Sequence, residues 1–537
     1  MNRRNLCLSA VTLGTLAGAL ASAALLIAAA MVPAQADAAP LPSAEAGAPL
    51  AIVSLDNTSL RAGPKDSALQ QAQLWQGDLL EVRGEKLDYL QVYDHRRERA
   101  GYVRASSVRR IGTTEADAPE LLAVLRFVRD TPAAEALGVA YAAAYLQAVP
   151  AKQLKAEPFD ALGTLAERLA RRASARNAAN TTDNKLAAHL EGVASYGVKI
   201  ASFEQDGQVQ LCYDGEAFRR VLAMPGATPA QRARAALALT REDCIDPALT
   251  ATAREALDRW RGDVLNRLTP ADWTALPEQT RNRLRMRSAG VWATLAFQQA
   301  RRGDASQAAG QRALDTLAGV VKTELSDDDQ LDYQEAAIRV GASRWAAEPP
   351  LPPIAVATAN DRPQLSTKPG RTGETCVLLT DARHDATHPL LRRCSFGVAW
   401  LASTSISRDG KAATLAVQPL AGWRELWVMR SSADAEGGWT LDVLPPAAGN
   451  PLGSDLGYIE AAGWTAEPEP KLLVARETRT DNSAANTSTL GPRNIRRFEV
   501  TRLSNLEVDK SASSPQILAA FQRWQDPQWK RQSVSLR

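Results

Sequence analysis

The sequence predicts a multidomain α+β chain: a small β barrel first, a central Ala-rich α-helical array, and a C-terminal antiparallel β-sheet domain built of blade-like meanders. Three observations predict it. Between Ala51 and Ile111 short apolar runs are separated by Gly-containing turns. From Glu115 to Trp345 apolar positions recur at helical spacing behind N-cap residues. After a Pro-rich stretch the alternation returns to that of strands. With 537 residues, 45% of them hydrophobic, the chain can bury several cores, and a prior of about three domains follows.

The first 36 residues carry Arg3-Arg4, an Ala/Leu-rich run from Leu6 to Val32, and Ala34-Gln35-Ala36. A positive head, an apolar centre and an A-x-A site predict a signal peptide cleaved after Ala36, with Asp37 as the mature N-terminus. The same run is long enough to span a bilayer, so an uncleaved anchor is the alternative, and membrane contact is expected only in that case. Either way the bulk of the chain is expected to be exported, to a periplasm or cell envelope. Residues 37–50, rich in Ala and Pro, read as a linker. Removing Arg3 and Arg4 from the formal charge of +3 leaves about +1. No basic domain is present to neutralise phosphates, so no nucleic-acid partner is expected.

Residues 51–112 form the first folded part. Its apolar runs are Leu79 to Val82, Tyr89 to Tyr93 and Tyr102-Val103, with turns at Gly63-Pro64, Gly77-Asp78 and Gly84. About 60 residues is near the lower limit for an independent core. The series Leu60-Arg61-Ala62-Gly63-Pro64, Gly77-Asp78-Leu79-Leu80-Glu81-Val82, Tyr89-Leu90-Gln91-Val92 and Gly101-Tyr102-Val103 resembles the bacterial SH3-like family. In that family the later aromatic positions are commonly Trp; here they are Tyr89 and Tyr102. The resemblance implies an SH3-like β barrel and contact with peptidoglycan peptide or an envelope protein, with Tyr89 and Tyr102 facing the ligand. The alternative is a barrel that only packs inside the molecule. Arg96, Arg97 and Arg99 fall on the hairpin before Gly101, either as a site for a polyanion or as a solvated loop tip.

Residues 115–347 read as roughly nine or ten helices without a fixed repeat. Thr131-Pro132, Thr228-Pro229, Asp246-Pro247, Thr269-Pro270 and Ser326-Asp327 are N-cap signals, and Thr228 with Gln231 has capping-box spacing. Leu257, Trp260, Val264 and Leu268 form one apolar stripe; Leu314, Leu317, Val321 and Leu325 form another. Gln208 to Tyr213, after Asp206-Gly207, alternates as a strand and interrupts the helices.

Loss of Cys7 with the signal peptide leaves Cys212, Cys244, Cys376 and Cys394, an even set for an oxidising compartment. Of three possible pairings the local one is expected, Cys212 with Cys244 and Cys376 with Cys394, each closing a loop worth about 3 kcal/mol. The first bridge ties the extended segment to the helix that Thr228 starts, as a shaped ligand surface or as a plain staple.

Residues 348–371 carry Pro349-Pro350, Pro352-Pro353, Pro363 and Pro369 and read as a linker. Residues 372–537 then give two four-stranded meanders. Gly397 to Ser405, Ala413 to Gln418, Glu425 to Arg430 and Trp439 to Leu444 form the first; Tyr458 to Trp464, Lys471 to Glu477, Arg497 to Leu503 and Leu506 to Val508 form the second. The turn Ser407-Arg408-Asp409-Gly410, with Thr414 to Val417 and Glu425 to Arg430 after it, resembles a blade of TolB-type β-propellers. Two blades do not close a propeller, so open sheets packed on the helices are expected. Pro515 to Trp524 and Trp529 predict a helix and a tail docking on the sheet.

No catalytic residue stands out. Cys376, His384, His388 and Cys394 are of the right types for zinc, but Pro389 follows directly and exported cysteines oxidise to one another, so no metal or other cofactor is expected. No nucleophile elbow, zinc-protease helix or phosphate loop appears, and Leu365-Ser366-Thr367-Lys368 lacks the partner motifs of a serine-lysine site. Trp423, Trp427, Trp439 and Trp464 lie in or beside strands, as core or as a recognition face. Leu426 and Val428 alternate with Trp427 and Met429, so that strand has two apolar faces and is central. Three functions fit: a non-catalytic envelope-binding protein, an envelope scaffold with no wall affinity, and a wall-modifying hydrolase with converging carboxylates.

Overall fold

The structure is a computed structural model that describes residues 49–178, 184–205, 208–349, 362–432, 438–447, 455–480 and 493–532. The signal segment, nearly all of the first linker, the Asp206-Gly207 turn and much of the Pro-rich linker lie outside these residues. The described residues form a mixed α+β architecture of thirteen α-helices and four sheets. No helix among them is long and apolar enough to cross a membrane.

The first sheet contains β1 (Leu50–Val53), β2 (Thr58–Arg61), β3 (Gln70–Leu74), β4 (Leu79–Lys86), β5 (Tyr89–Asp94), β6 (Arg99–Arg104) and β7 (Val108–Ile111), in the order β3-β2-β6-β5-β4-β1-β7. Its two edges, β3 and β7, are not paired with each other, so hydrogen bonding leaves an open, curled sheet where a closed barrel was expected. The sheet is thinnest where β2 meets β6, through the single register pair Arg61↔Tyr102. Ala51, Val53, Leu60, Leu80, Leu90, Val92 and Val103 alternate inward and make one core. Ile52, on the other face of β1, joins the core of the helices instead, so the sheet is packed onto the array that follows. Gly77 marks the closest approach: its φ is +93°, and a Cβ there would lie 2.6 Å from the carbonyl oxygen of Ala136.

The array contains α1 (Ala118–Arg129), α2 (Glu135–Ala148), α3 (Ala156–Ala178) and α4 (Asn184–Ser195), then the hairpin β8 (Ile200–Gln205) and β9 (Gln208–Tyr213). It continues with α5 (Glu216–Ala223), α6 (Pro229–Leu239), α7 (Ala251–Asn266), α8 (Pro270–Ala275), α9 (Glu278–Arg302), α10 (Gln307–Ala318) and α11 (Asp327–Ser343). Among the described residues these are eleven helices where nine or ten were expected. Thr228, Thr269 and Ser326 cap α6, α8 and α11 as predicted. Thr131 does not cap α2: its hydroxyl donates back to the Phe127 carbonyl and ends α1. Asp246 accepts from the backbone of Ala248 in a turn, and Thr250 caps α7 in its place. The α7 stripe holds at Val264 and Leu268, but Leu257 and Trp260 are half-buried, because Asp258 and Arg261 occupy the innermost positions. The second stripe holds at Leu317, with Leu314 and Leu325 half-buried against the same core; α10 ends at Ala318 and leaves Val321 exposed.

The last part opens with a three-stranded sheet of β10 (Gln364–Pro369), β11 (Thr375–Thr380) and β12 (Leu391–Ser395). The expected linker thus ends earlier than residue 371, because Leu365 is buried and β10 pairs along its whole length with β11. An eight-stranded sheet follows: β13 (Val398–Ile406), β14 (Ala412–Leu420), β15 (Trp423–Ser431), β16 (Trp439–Leu444), β17 (Leu456–Trp464), β18 (Lys471–Thr480), β19 (Arg493–Arg502) and β20 (Val508–Ala512). Both meanders are present but they form one sheet. β16 begins its pairing with β15 only at Leu426, so the first residues of β15 are free to take β17 in parallel at Trp423↔Gly457 and Arg424↔Tyr458. Leu426 and Val428 fill one core and Trp427 and Met429 another, which makes β15 central. α12 (Ala519–Trp524) and α13 (Pro527–Gln532) lay Phe521 and Trp529 against Phe498.

α11 carries the sheet. Ile338 and Ala342 share a core with Tyr458, Leu473 and Phe498, and a Cβ at Gly341 would overlap the Tyr458 ring. Beside this contact the Glu460 carboxylate pairs with Arg344 and Arg424 and accepts from Trp529 Nε1 at 2.7 Å. Burial alone would raise the Glu460 carboxyl; the two guanidinium groups outweigh it and hold it below its ordinary value. Glu460→Gln leaves two buried cations without their counter-charge and is expected to cost about 3–5 kcal/mol in denaturant unfolding. The depressed carboxyl contributes stability that is complete above the unfolded-state value and is lost as pH falls through the folded one. The acid limb of the wild-type stability profile should therefore flatten in Glu460→Gln.

Candidate functional site

The residues expected to meet a ligand on the first sheet are mostly engaged within it. Tyr89 and Tyr102 share its outer face, opposite Arg104 and Gln91 respectively. Tyr89 is only 2% exposed. Its hydroxyl donates to Asp66, and Arg104 lies over its ring while pairing with Asp66 and Asp88. Tyr102 is half-buried. The cationic hairpin closes on the sheet's own carboxylates: Arg96 and Arg97 each reach Asp78 at 3.0 Å, and Arg97 reaches Asp94 at 2.7 Å. Arg99 donates to the Gln71 carbonyl at 2.6 Å. Burial pushes the Asp78 carboxyl up, against the pull of both arginines.

This end of the sheet is also docked on α4. His189, its side chain fully buried, meets Asp56 at 2.7 Å, and the Tyr196 hydroxyl donates to the Gly77 carbonyl at 2.6 Å. The loops that in an isolated barrel would be open to solvent are thus held by the helices.

The tryptophans of the last sheet divide in favour of packing. Trp423, Trp427 and Trp464 are buried, Trp464 with its Nε1 donating to Ser405 Oγ at 2.8 Å; Trp439 is half-buried. Cys376 and Cys394, directly opposed on β11 and β12, form a disulfide, so their sulfurs are not zinc ligands. His384 bonds Asp381 at 2.8 Å, and His388 is exposed.

The concave surface that remains was not singled out by sequence reasoning. It is a cleft of about 1500 Å³ between the helices and the turns of the last sheet. Its floor is α9 and α11; the segment from Arg241 to Ile245 and the start of α7 make one wall, and Leu420-Ala421 and Arg479 belong to the other. The Cys212–Cys244 disulfide stands behind the first wall and ties it to β9. β9 is fixed in turn to α3, where Ser174 Oγ accepts from the backbone of Leu211 at 2.8 Å. The bridge is a staple, but its second end lies in the segment after α6, which ends at Leu239, and not in the helix that Thr228 starts as expected. With the other pair also closed, the cysteines fit an oxidising environment.

Among the described residues the cleft is lined by ten arginines, ten carboxylates and the hydroxyls of Thr252, Thr294 and Thr372, with no lysine, histidine, cysteine, serine or tyrosine. Carboxylates and guanidinium forks therefore dominate its chemistry. Behind the wall Arg261, 1% exposed, reaches Asp258 at 2.8 Å, Glu242 at 2.6 Å and the Thr240 carbonyl at 2.7 Å. Burial would raise the Glu242 carboxyl, but Arg261, Arg339 and Arg254 drive it far below its ordinary value. On the floor, Arg283 pairs with Asp329 at 2.6 Å and Arg339 with Glu335 at 3.0 Å. Arg287 is pushed down to about 10 by burial and by the neighbouring Arg261.

The signal for this site is present in the sequence: Asp258 and Arg261 fall on the inner stripe of α7, and alternate positions from Arg281 to Arg287 are arginine, matched by the acidic start of α11. Searches for apolar periodicity and for catalytic motifs pass over both. Comparison with protein-family models, curated proteins and solved structures finds no match for the chain.

Replacing Cys212 and Cys244 together by alanine is expected to lower stability by about 3 kcal/mol. Hydrogen exchange should rise first from Arg241 to Ile245, the wall that the bridge supports, and an unchanged exchange rate there would show that the bridge does not shape the cleft.

Proposed function

We propose that the chain is an exported, non-catalytic binding protein of the cell envelope that takes its ligand or partner in the charged cleft. The single observation that carries this reading is the cleft itself: a large concave surface, held in shape by a disulfide and by buried ion pairs. The first sheet is read as an SH3-like module that serves as a fixed part of the body. Peptidoglycan and envelope proteins remain the partners the SH3-like resemblance implies.

A second reading, an envelope scaffold without wall affinity, draws on the docking of Asp56, Gly77 and Asp78 against α4 and the arginine hairpin, which turns the loop end of the sheet inward.

Co-sedimentation of the exported chain with purified wall sacculi separates these readings. Gly290 lies in the cleft, and a Cβ there meets only Arg339 Cδ, at 3.6 Å, so Gly290→Leu fills the cleft without a backbone clash. Pelleting should fall about tenfold in affinity in Gly290→Leu and persist in Tyr102→Ala. The opposite pattern would move recognition to the first sheet. No pelleting of the wild-type chain would favour the scaffold.

A further inference from the structure

α9 and α11 run side by side in the same sense: Arg283 meets Asp329 at 2.6 Å, and Gly290, two turns on, lies against Arg339. Ion pairs close this seam at both ends. Arg283 with Asp329 closes it below; Arg339 and Arg479 with Glu335, and Arg339 with Glu242 at 3.4 Å, close it above. Between them, one turn past Arg283 and one turn past Asp329, stand Arg287 and Asp332, both in the cleft lining. Among the described residues neither makes an ion pair. Arg287 uses one N–H on the Leu237 carbonyl at 3.1 Å and keeps four others. The groups that face it are Arg261, Asp243, Glu242 and Asp332, and Glu242 is already saturated by three arginines.

We infer that this open rung is a binding site for a zwitterionic group of the amino-acid type, its carboxylate on the Arg287 fork and its ammonium on Asp332. The inference rests on the cleft being the recognition surface and names what it recognises. A carboxylate suits the planar guanidinium bidentately. An anion alone would meet Arg287 together with the carboxylates of Asp243 and Asp332, and a cation alone would meet Asp332 together with the guanidinium groups of Arg287, Arg479 and Arg283. A ligand carrying both charges answers both free groups and leaves the balance of the cleft unchanged. Free amino acids and peptides with adjacent free ammonium and carboxylate groups share this chemistry.

The test is calorimetric titration of the full exported chain with the free amino acids of both hands, dialanine, N-acetyl-alanine, alanine methyl ester and inorganic phosphate. At least one free zwitterion should bind, with its N-acetylated and esterified forms about tenfold weaker or worse. Dialanine, whose charges are farther apart, separates a free amino acid from a peptide source. Arg287→Gln and Asp332→Asn should each abolish the binding. Asp332 is exposed in the cleft, so its variant is expected to keep the wild-type unfolding curve even if the arginine variant does not fold. Equal binding of the N-acetylated form, or binding of phosphate alone, would overturn the zwitterion in favour of a simple anion site. No binding by any probe, with sacculus pelleting still sensitive to Gly290→Leu, would overturn this inference and leave the proposed function standing. Pelleting indifferent to Gly290→Leu sinks that function itself.

Discussion

Burying Glu460 between α11 and the last sheet is costly unless its charge is answered, and Arg344 and Arg424 answer it from two different elements. Arg424 comes from β15 and also donates to the Gly341 carbonyl at 2.7 Å, so the ion pair and the backbone of α11 are one network. Trp529 completes the carboxylate's hydrogen bonds and brings in the C-terminal helices. The arrangement fixes where the sheet stands against α11, and that position determines the second wall of the cleft. Gly341 is the steric counterpart of this electrostatic constraint, because the helix can approach Tyr458 so closely only without a side chain there.

The cleft repeats the same logic in a more open setting. Arg261 and Asp258 sit deep in the array, where an unpaired charge would be expelled or neutralised, and they persist because Glu242, Arg254 and the Thr240 carbonyl satisfy them. The rigidity of such a network gives a surface lined with charges that do not collapse on one another. Arginine is suited to this role, since its charge is lost far less readily than that of lysine when water is withdrawn.

Local chemistry was the most legible part of the sequence. Thr228 with Gln231, the two meanders, both cysteine pairs and the two-faced β15 follow from rules of short range, and the structure has them. Where competition between neighbours decides, the reading diverged. Thr131 and Asp246 had the chemistry of caps but found other backbone partners, and Leu257 gave way to Asp258 on the inner stripe. The first sheet is open between β3 and β7, and its Ile52, Leu79 and Ile111 pack on the helices, a long-range contact that no local rule announces. The cleft was least legible, since it is made by charges far apart in the chain, and no spacing rule joins Glu242, Arg287 and Asp332.

The parallel step between β15 and β17 has a consequence for how the last sheet assembles. Every other pairing in that sheet joins neighbours in sequence, so each meander is a unit of local contacts that can form on its own. The step between them rests on two residue pairs. It is a seam between two cooperative units, and the sheet should open along it before either meander unravels. α11 lies across that seam, with contacts to β15, β17 and β18, and so acts as the brace that turns two independently opening halves into one surface.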